Sequence, residues 1–409
     1  MRARLISRWR TDHLVRNAAL IATTTLTIAS AGFIFWIIAA HRFSADLIGR
    51  AATVTSLTPL VATLASLGLA PAITRHIASH PTPSRLVWRS YSVAATTGLV
   101  VGSMIGAFHP SLADHRSLAV PGVAIAAAAL AANMLSTATI VASRRAGLLI
   151  FESLAATVAK LTAISIFPRT QLGLLAAVLA GILASATTSG LVTRFALHLN
   201  STGARQLHGI YRFAFTNWIS SGVSLVPLAL LPSFVLARSS SAAAASTAIA
   251  ALFLPLLNLP ASTVARSLFA EASAHPEQTP RLAKRALKVM LLLSGSATIL
   301  VLVLAPVFLN LFGKSYSDSA STLLRLLALS AFVAVGNYLA DTILSIRGDN
   351  VGYFLVSLLG TIFVGAGAWF ASPHGPVAIG IGWVAAQLAY SVVAWTTITL
   401  RKKTFTHHH

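Results

Sequence analysis

The chain is dominated by apolar runs of about 20 residues, each long enough to cross the roughly 30 Å hydrocarbon core of a bilayer. Twelve such runs are readable in its 409 residues, the first Ala18–Ala40 and the last Pro376–Leu400. They are continuous, whereas the strands of a membrane barrel are about 10 residues long and alternate in polarity. Backbone groups in lipid must be paired within their own segment, so these runs are helices. Composition agrees: 56% of residues are hydrophobic and 10% charged, with mean hydropathy +0.78. A soluble domain carries about 25% charged residues. Soluble enzymes, disordered chains and fibrous proteins are excluded. The expected fold is all-α and polytopic, with about twelve transmembrane helices and little mass outside the membrane.

The charge is lopsided, with 30 Lys and Arg against 9 Asp and Glu, a formal net charge of +21. On a soluble protein this would point to nucleic acid. Here the basic residues are scattered thinly between apolar runs, which fits membrane topology and anionic headgroups instead. With the N-terminus placed in the cytoplasm, 22 basic residues fall on inner connections and 7 on outer ones, leaving Lys160 inside a span. One missed or invented helix would scramble that alternation. An even number of spans with both termini cytoplasmic follows. The first apolar run is too long for a signal-peptide core, so no cleavable signal is expected. With no cysteine in the chain, disulfides, thiolate catalysis and Cys-based metal sites are excluded.

Two halves are suggested. Arg16 and Arg212 enter corresponding spans, Pro59 and Pro255 interrupt corresponding spans, and both pairs share an offset of 196. Arg75 and Arg266 end those spans at an offset of 191, which requires an indel. The expected organisation is a basic interfacial segment at 1–17 containing Trp9, a six-helix lobe at 18–200, a linker at 201–212, a second six-helix lobe at 213–400 and a basic tail at 401–409. Six spans per half make a parallel repeat of the kind found in transporters.

Ionisable groups at membrane depth cost on the order of 3 kcal/mol each, so each is a functional candidate. Lys160 stands in span 5 with no charged residue within seven positions on either side. It is either a cation in a wet cavity, contacting phosphate or carboxylate, or structural glue paired with an acid on another helix. Glu152 precedes it by two turns, about 80° away in projection at 100° per residue. Asp341 lies one turn inside the end of span 10 and is either Lys160's partner, a proton or cation site, or an interfacial cap. Arg75 and Arg266 are either topology markers or a matched pair flanking a cleft, where the planar guanidinium fork suits pyrophosphate. Pro255 and Pro260, with Asn258 between them, form the strongest helix interruption, either lining a cavity or kinking a lipid-facing helix. Pro227 and Pro232 in span 7 read the same way. The expected substrate-binding residues are Lys160, Arg75 and Arg266. The gating or ion-coupling candidates are Glu152, Asp341, Asn258, Pro255 and Pro260. No P-loop, H-E-x-x-H motif or nucleophile–base set occurs in the sequence, so no catalytic residue, metal or cofactor is expected and the protein is not read as an enzyme.

Several stretches together resemble the Wzx-type polysaccharide flippases, the O-antigen and capsule translocases of the multidrug/oligosaccharidyl-lipid/polysaccharide (MOP) exporter superfamily. They are Leu14–Ala18 leading into Gly32–Ala40 and Phe43–Gly49, then Leu64–Ala70 through Arg75. They continue with Ala305-Pro306, Leu311–Tyr316 and Leu323–Ala328, and close with Gly375–Gly382. Arg50 departs from the pattern, which carries an aromatic or aliphatic residue after the glycine. The resemblance implies two six-helix lobes around a central cationic cavity, alternating access driven by an ion gradient or the membrane potential, and a bacterial plasma-membrane location. It implies a substrate built of a polyprenyl chain, a phosphate or pyrophosphate and an oligosaccharide. A polysaccharide polymerase or glycosyltransferases are possible partners, and nucleic acid is not. The rival readings are a cation-coupled drug exporter of the same superfamily, a peptidoglycan-precursor flippase (which has more spans), and a scaffold for polysaccharide assembly that transports nothing.

Overall fold

The computed structural model describes residues 30–76, 83–143, 145–197, 210–274 and 276–405. The basic segment 1–17, linker residues 201–209, tail residues 406–409 and the side chain of Arg75 lie outside the described part. In chain order the helices are α1 (30–42), α2 (Ala45–Thr55), α3 (Thr58–Ala65), α4 (Leu69–His76), α5 (Pro83–Phe108), α6 (Arg116–Ala142), α7 (Leu149–Ile166) and α8 (Gln171–Leu197). They continue with α9 (Ile210–Arg238), α10 (Ser241–Ala251), α11 (Leu254–Ala274), α12 (Thr279–Asn310), α13 (Lys314–Ile346), α14 (Asn350–Ala371) and α15 (Pro376–Phe405). Among the described residues, ten helical segments are long and apolar enough to cross a membrane. Of the other two expected runs, the first is described only from residue 30, and the seventh offers the shorter apolar helix Gly222–Arg238. This is a multi-pass membrane protein.

The helices form two compact units: residues up to Ala39 with Leu57–Gly222, and Ala40–Ser56 with Val223–His409. In the first, α6 is central and packs against α3, α4, α5 and α8, while α7 packs on α8. Its core holds Ala65, Ile73, Val87, Ala94, Ala131 and Leu135. In the second, α13 is central and packs against α10, α11, α12 and α15, while α14 packs on α15. Its core holds Ala261, Leu268, Met290, Val335 and Leu339. Leu292, Ile299, Val303 and Val307 on α12 are exposed, as befits a face solvated by lipid rather than water.

The tightest contact in the first unit runs along α5 and α6. A Cβ placed on Gly98, Gly102 or Gly106 would meet the α6 backbone at 2.6 Å (Ala128 Cα), 2.6 Å (Ala124 Cα) and 2.7 Å (Val120 Cα). The four-residue spacing puts these glycines on one face, and their lack of side chains lets the two backbones touch.

The expected interruption of span 8 is present, and it falls just ahead of the prolines. Two-residue turns separate α2 from α3 at Ser56–Leu57 and α10 from α11 at Leu252–Phe253. The half-helices α2 and α10 are 11 residues each, offset by 196 like Pro59 and Pro255. Each starts on a serine whose hydroxyl accepts an N–H three residues on, Leu47 onto Ser44 at 3.5 Å and Ala243 onto Ser240 at 3.1 Å. Pro59 and Pro255 then occupy the first turn of the following helix, where a missing N–H costs nothing. Where α2 crosses α10, Gly49 touches the Ser241 carbonyl so closely that no side chain fits. Ser241 also donates its hydroxyl to Asp46, which pairs with Arg50 at 3.2 Å.

Broken backbone at membrane depth survives only if its freed carbonyls find other donors. Side-chain donors reach four carbonyls at such places, two of them, Val223 and Leu302, freed by a proline. Leu67 (φ 47°) and Gly68 (φ 70°) turn the chain left-handed between α3 and α4, and the Trp218 indole N–H caps the Leu64 carbonyl at 3.0 Å. Pro227 cannot bond the Val223 carbonyl, and the Thr361 hydroxyl does so at 3.0 Å. The Ala229 carbonyl, three residues before Pro232, also accepts the Ser56 hydroxyl at 2.8 Å. Pro306 leaves the Leu302 carbonyl free, and Arg325 Nε donates to it at 3.0 Å. Arg325→Met therefore leaves a buried carbonyl unmet, at a cost of about 1–3 kcal/mol. Thermal unfolding of the detergent-solubilised protein should show a Tm several degrees lower; an unchanged Tm would remove this role from Arg325.

Candidate functional site

Lys160 lies on α7, and its methylene stem occupies the notch that Gly181 leaves on α8. A side chain at position 181 would displace it. Among the described residues no carboxylate lies within ion-pair distance of Lys160. Its side chain is partly buried. Of the two expected readings, the structural ion pair is therefore not observed. A lysine on a membrane-spanning helix without an acidic partner among the described residues is a functional candidate.

Glu152 lies eight residues earlier on the same helix, buried at 8% exposure. Its Oε1 accepts the Ser185 hydroxyl from α8 at 3.1 Å. The one proton of Ser185 is committed there, so Ser185 accepts from Asn133 Nδ2 of α6 at 2.6 Å. A second chain runs alongside. Ser136 donates to the Ser189 carbonyl at 2.9 Å, so Thr193 donates to Ser136 at 2.6 Å and Tyr91 of α5 donates to Thr193 at 3.2 Å. Two polar chains side by side thus tie four helices.

The second unit holds its own cluster. Both oxygens of Asp341 on α13 accept the Tyr390 hydroxyl of α15, at 3.0 and 2.9 Å. Tyr353 of α14 lies within the field of Asp341, and Ser357 is within hydrogen-bonding reach of both Tyr353 and Tyr390. Arg266, exposed on α11, and Asp341 both act electrostatically on Tyr338 of α13. Four residues before Asp341, Asn337 Nδ2 donates to Gln387 Oε1 of α15 at 2.7 Å and Asn337 Oδ1 accepts from Ser391 at 2.6 Å. Asn133 and Asn337 each stand nine residues before the end of their unit's central helix. Tyr390→Phe should cost about 1–3 kcal/mol, by stripping Asp341 of its donor. A double-mutant cycle with Asp341→Asn should give at least ~0.5 kcal/mol of coupling; strict additivity would contradict the pairing.

Of the sequence-expected residues, Arg266 and Asp341 both act on Tyr338, Glu152 belongs to the cluster of the first unit, and Lys160 has no expected residue as a bonding partner among those described. Pro255 opens α11, Pro260 lies inside it, and Asn258 keeps a buried Oδ1 with no partner. Asn133, Ser185 and Tyr390 were not among the expected residues. A lone amide in the Ala-rich run 119–143 is a readable signal for Asn133. Ser185 and Tyr390 are legible only once helix faces are known.

Solved membrane transporters share this fold. The chain is similar to an inward-facing MATE-family multidrug transporter (TM-score 0.69, 13% identity, covering 96% of this chain and 99% of that one). It is similar to the lipid II flippase MurJ in its inward closed conformation (TM-score 0.71, 10% identity, 93% and 87%). A MOP-superfamily transporter from Pyrococcus furiosus, described as having a binding pocket of reversed polarity, matches at TM-score 0.68 with 13% identity over 95% of each chain. At such identities the likeness is one of fold. No family model and no curated relative matches the sequence.

Proposed function

We propose that this protein is a flippase that carries a polyprenyl-(pyro)phosphate-linked oligosaccharide from the cytoplasmic to the outer leaflet of a bacterial plasma membrane by alternating access. The observation that carries the reading is Lys160: a cation on a membrane-spanning helix, held by Gly181 and matched by no carboxylate among the described residues. Arg75 and Arg266, at the ends of α4 and within α11, supply further positive charge for a diphosphate. The chain's +21 net charge and its nine acidic residues favour an anionic cargo over a cationic drug. A lipid II flippase shares the fold, which accommodates a lipid-tailed anion. The driving force needs no chemistry on the protein. Moving one charge through 100 mV is worth about 2.3 kcal/mol, so a doubly charged head gains roughly 4–5 kcal/mol on leaving a negative interior. A polymerase or glycosyltransferases acting on the same lipid-linked sugar are the proposed partners.

Depleting the protein tests the reading. A lipid-linked oligosaccharide should accumulate on the cytoplasmic leaflet. Unchanged lipid-linked intermediates together with loss of cationic-drug resistance would favour the drug-exporter reading, which the MATE-family neighbours keep in view.

A further inference from the structure

The start of α12 carries a charge pattern that the transport reading does not use. Arg281, Lys284, Arg285 and Lys288 are all exposed, and steps of three, four and seven residues put them on one face of the helix. The opposite face, with Leu282, Ala283, Ala286, Leu287 and Met290, packs into the core of the second unit. The basic face is therefore turned away from that core. Among the described residues no ion pair holds any of its four charges. The same face continues as hydrocarbon, with Leu292 73%, Ile299 64% and Val303 67% exposed. From Lys288 to Ile299 is about 16 Å at 1.5 Å per residue, the depth of one leaflet of a roughly 30 Å hydrocarbon core.

Topology asks for basic residues near the end of a span, and it does not ask for a stripe. The first unit shows the difference. α5 and α12 begin 196 residues apart, at Pro83 and Thr279, and Arg85 and Arg89 stand where Arg281 and Arg285 do. Beyond that pair the two helices part. Trp88, Ser92, Thr96 and Ser103 occupy the places of Lys284, Lys288, Leu292 and Ile299. The Ser92 and Thr96 hydroxyls donate to carbonyls of their own helix, at 3.1 and 2.9 Å. The α5 face thus has half the charge, and hydroxyls where α12 has aliphatic side chains.

We infer that the exposed face of α12 is a binding site for an anionic phospholipid of the surrounding bilayer, with the phosphate held by Arg281, Lys284, Arg285 and Lys288 and one acyl chain laid along Leu292, Ile299 and Val303. Guanidinium and ammonium groups donate charge-assisted hydrogen bonds to phosphate oxygens. Basic residues at a bilayer surface draw anionic lipids. An acidic protein would match the charges and leave the aliphatic track unused. The inference does not rest on the transport reading.

Native mass spectrometry of the full-length protein in detergent, titrated with phosphatidylglycerol and with phosphatidylcholine, tests it. Each basic residue beside an anionic surface strengthens association roughly fivefold, so phosphatidylglycerol should bind the wild type at least about tenfold more tightly than phosphatidylcholine. Arg281→Gln with Arg285→Gln should erase most of that preference. Arg85→Gln with Arg89→Gln makes the same change in net charge and should lower it less than about threefold. Equal binding of the two lipids, or equal losses in the two double variants, overturns the assignment. Labelling of the wild type by phosphatidylglycerol with a photoreactive acyl chain decides the matter if the α12 variant does not fold. The label should fall on residues 289–303, and label concentrated on other helices overturns the site. Displacement of bound phosphatidylglycerol by an equal concentration of polyprenyl pyrophosphate would also overturn it, giving the face to the cargo.

Discussion

Gly102→Val is expected to prevent accumulation of folded protein. The new Cβ alone would stand 2.6 Å from the Ala124 Cα and the Val123 carbonyl oxygen of α6, and a β-branched side chain adds two more carbons. The obstacle is backbone, which cannot rotate aside, so α5 and α6 must separate along the seam lined by Gly98, Gly102 and Gly106. Overpacking of an ordinary core costs about 1–3 kcal/mol. Forcing two backbones apart exceeds that range and approaches the whole stability of a domain, about 5–15 kcal/mol. Gly122→Ala on α6 is the matched control, since a Cβ there meets nothing within 4 Å and alanine improves helix propensity by up to about 1 kcal/mol. Membrane-inserted yield and size-exclusion profile read the result. A Gly102→Val protein that elutes and melts like wild type would mean that α5 and α6 are not in backbone contact.

Lys160→Met should weaken binding of a polyprenyl pyrophosphate by roughly 30–150-fold, the equivalent of about 2–3 kcal/mol for a charge-assisted contact. Methionine keeps the length and apolar stem that fill the Gly181 notch, so the fold should survive and Tm should change little or rise. Gly181→Val attacks the same site from the other side. It displaces the lysine stem without removing charge, and should lower affinity while raising no new electrostatic cost. Native mass spectrometry with the pyrophosphate lipid and its uncharged polyprenol counterpart separates head from tail. The loss should appear only for the charged lipid.

Much of this architecture is legible in the sequence because lipid imposes a strict rule on it. Span lengths follow from hydrocarbon thickness. The 196-residue offset seen at Pro59 and Pro255 reappears as two 11-residue half-helices with matching serine caps. The position of the breaks themselves is less legible. Ser56–Leu57 and Leu252–Phe253 carry no helix-breaking residue, and the prolines stand two residues beyond, where they start the next helix. Lys160, Glu152 and Asp341 declare themselves as charges among apolar residues. Their partners do not, because Ser185 and Tyr390 reach them from other helices, and facing is decided by packing. The glycine seam at 98, 102 and 106 is written in the spacing, but spacing alone does not say which helix it meets. Arg325 shows the limit from another direction: in the sequence it is one more scattered basic residue, and in the fold it caps a carbonyl freed by Pro306.

The central claim is that the protein moves a lipid-anchored anion outward past Lys160. Its most direct test is leaflet exposure of a fluorescent oligosaccharide–pyrophosphate–polyprenol in proteoliposomes, read by an impermeant quencher added outside. The account predicts that wild-type protein exposes the inner-leaflet label, faster when the interior is held negative, and that Lys160→Met abolishes most of that exposure. Label that stays inside with wild-type protein, or crosses equally well with Lys160→Met, would contradict it.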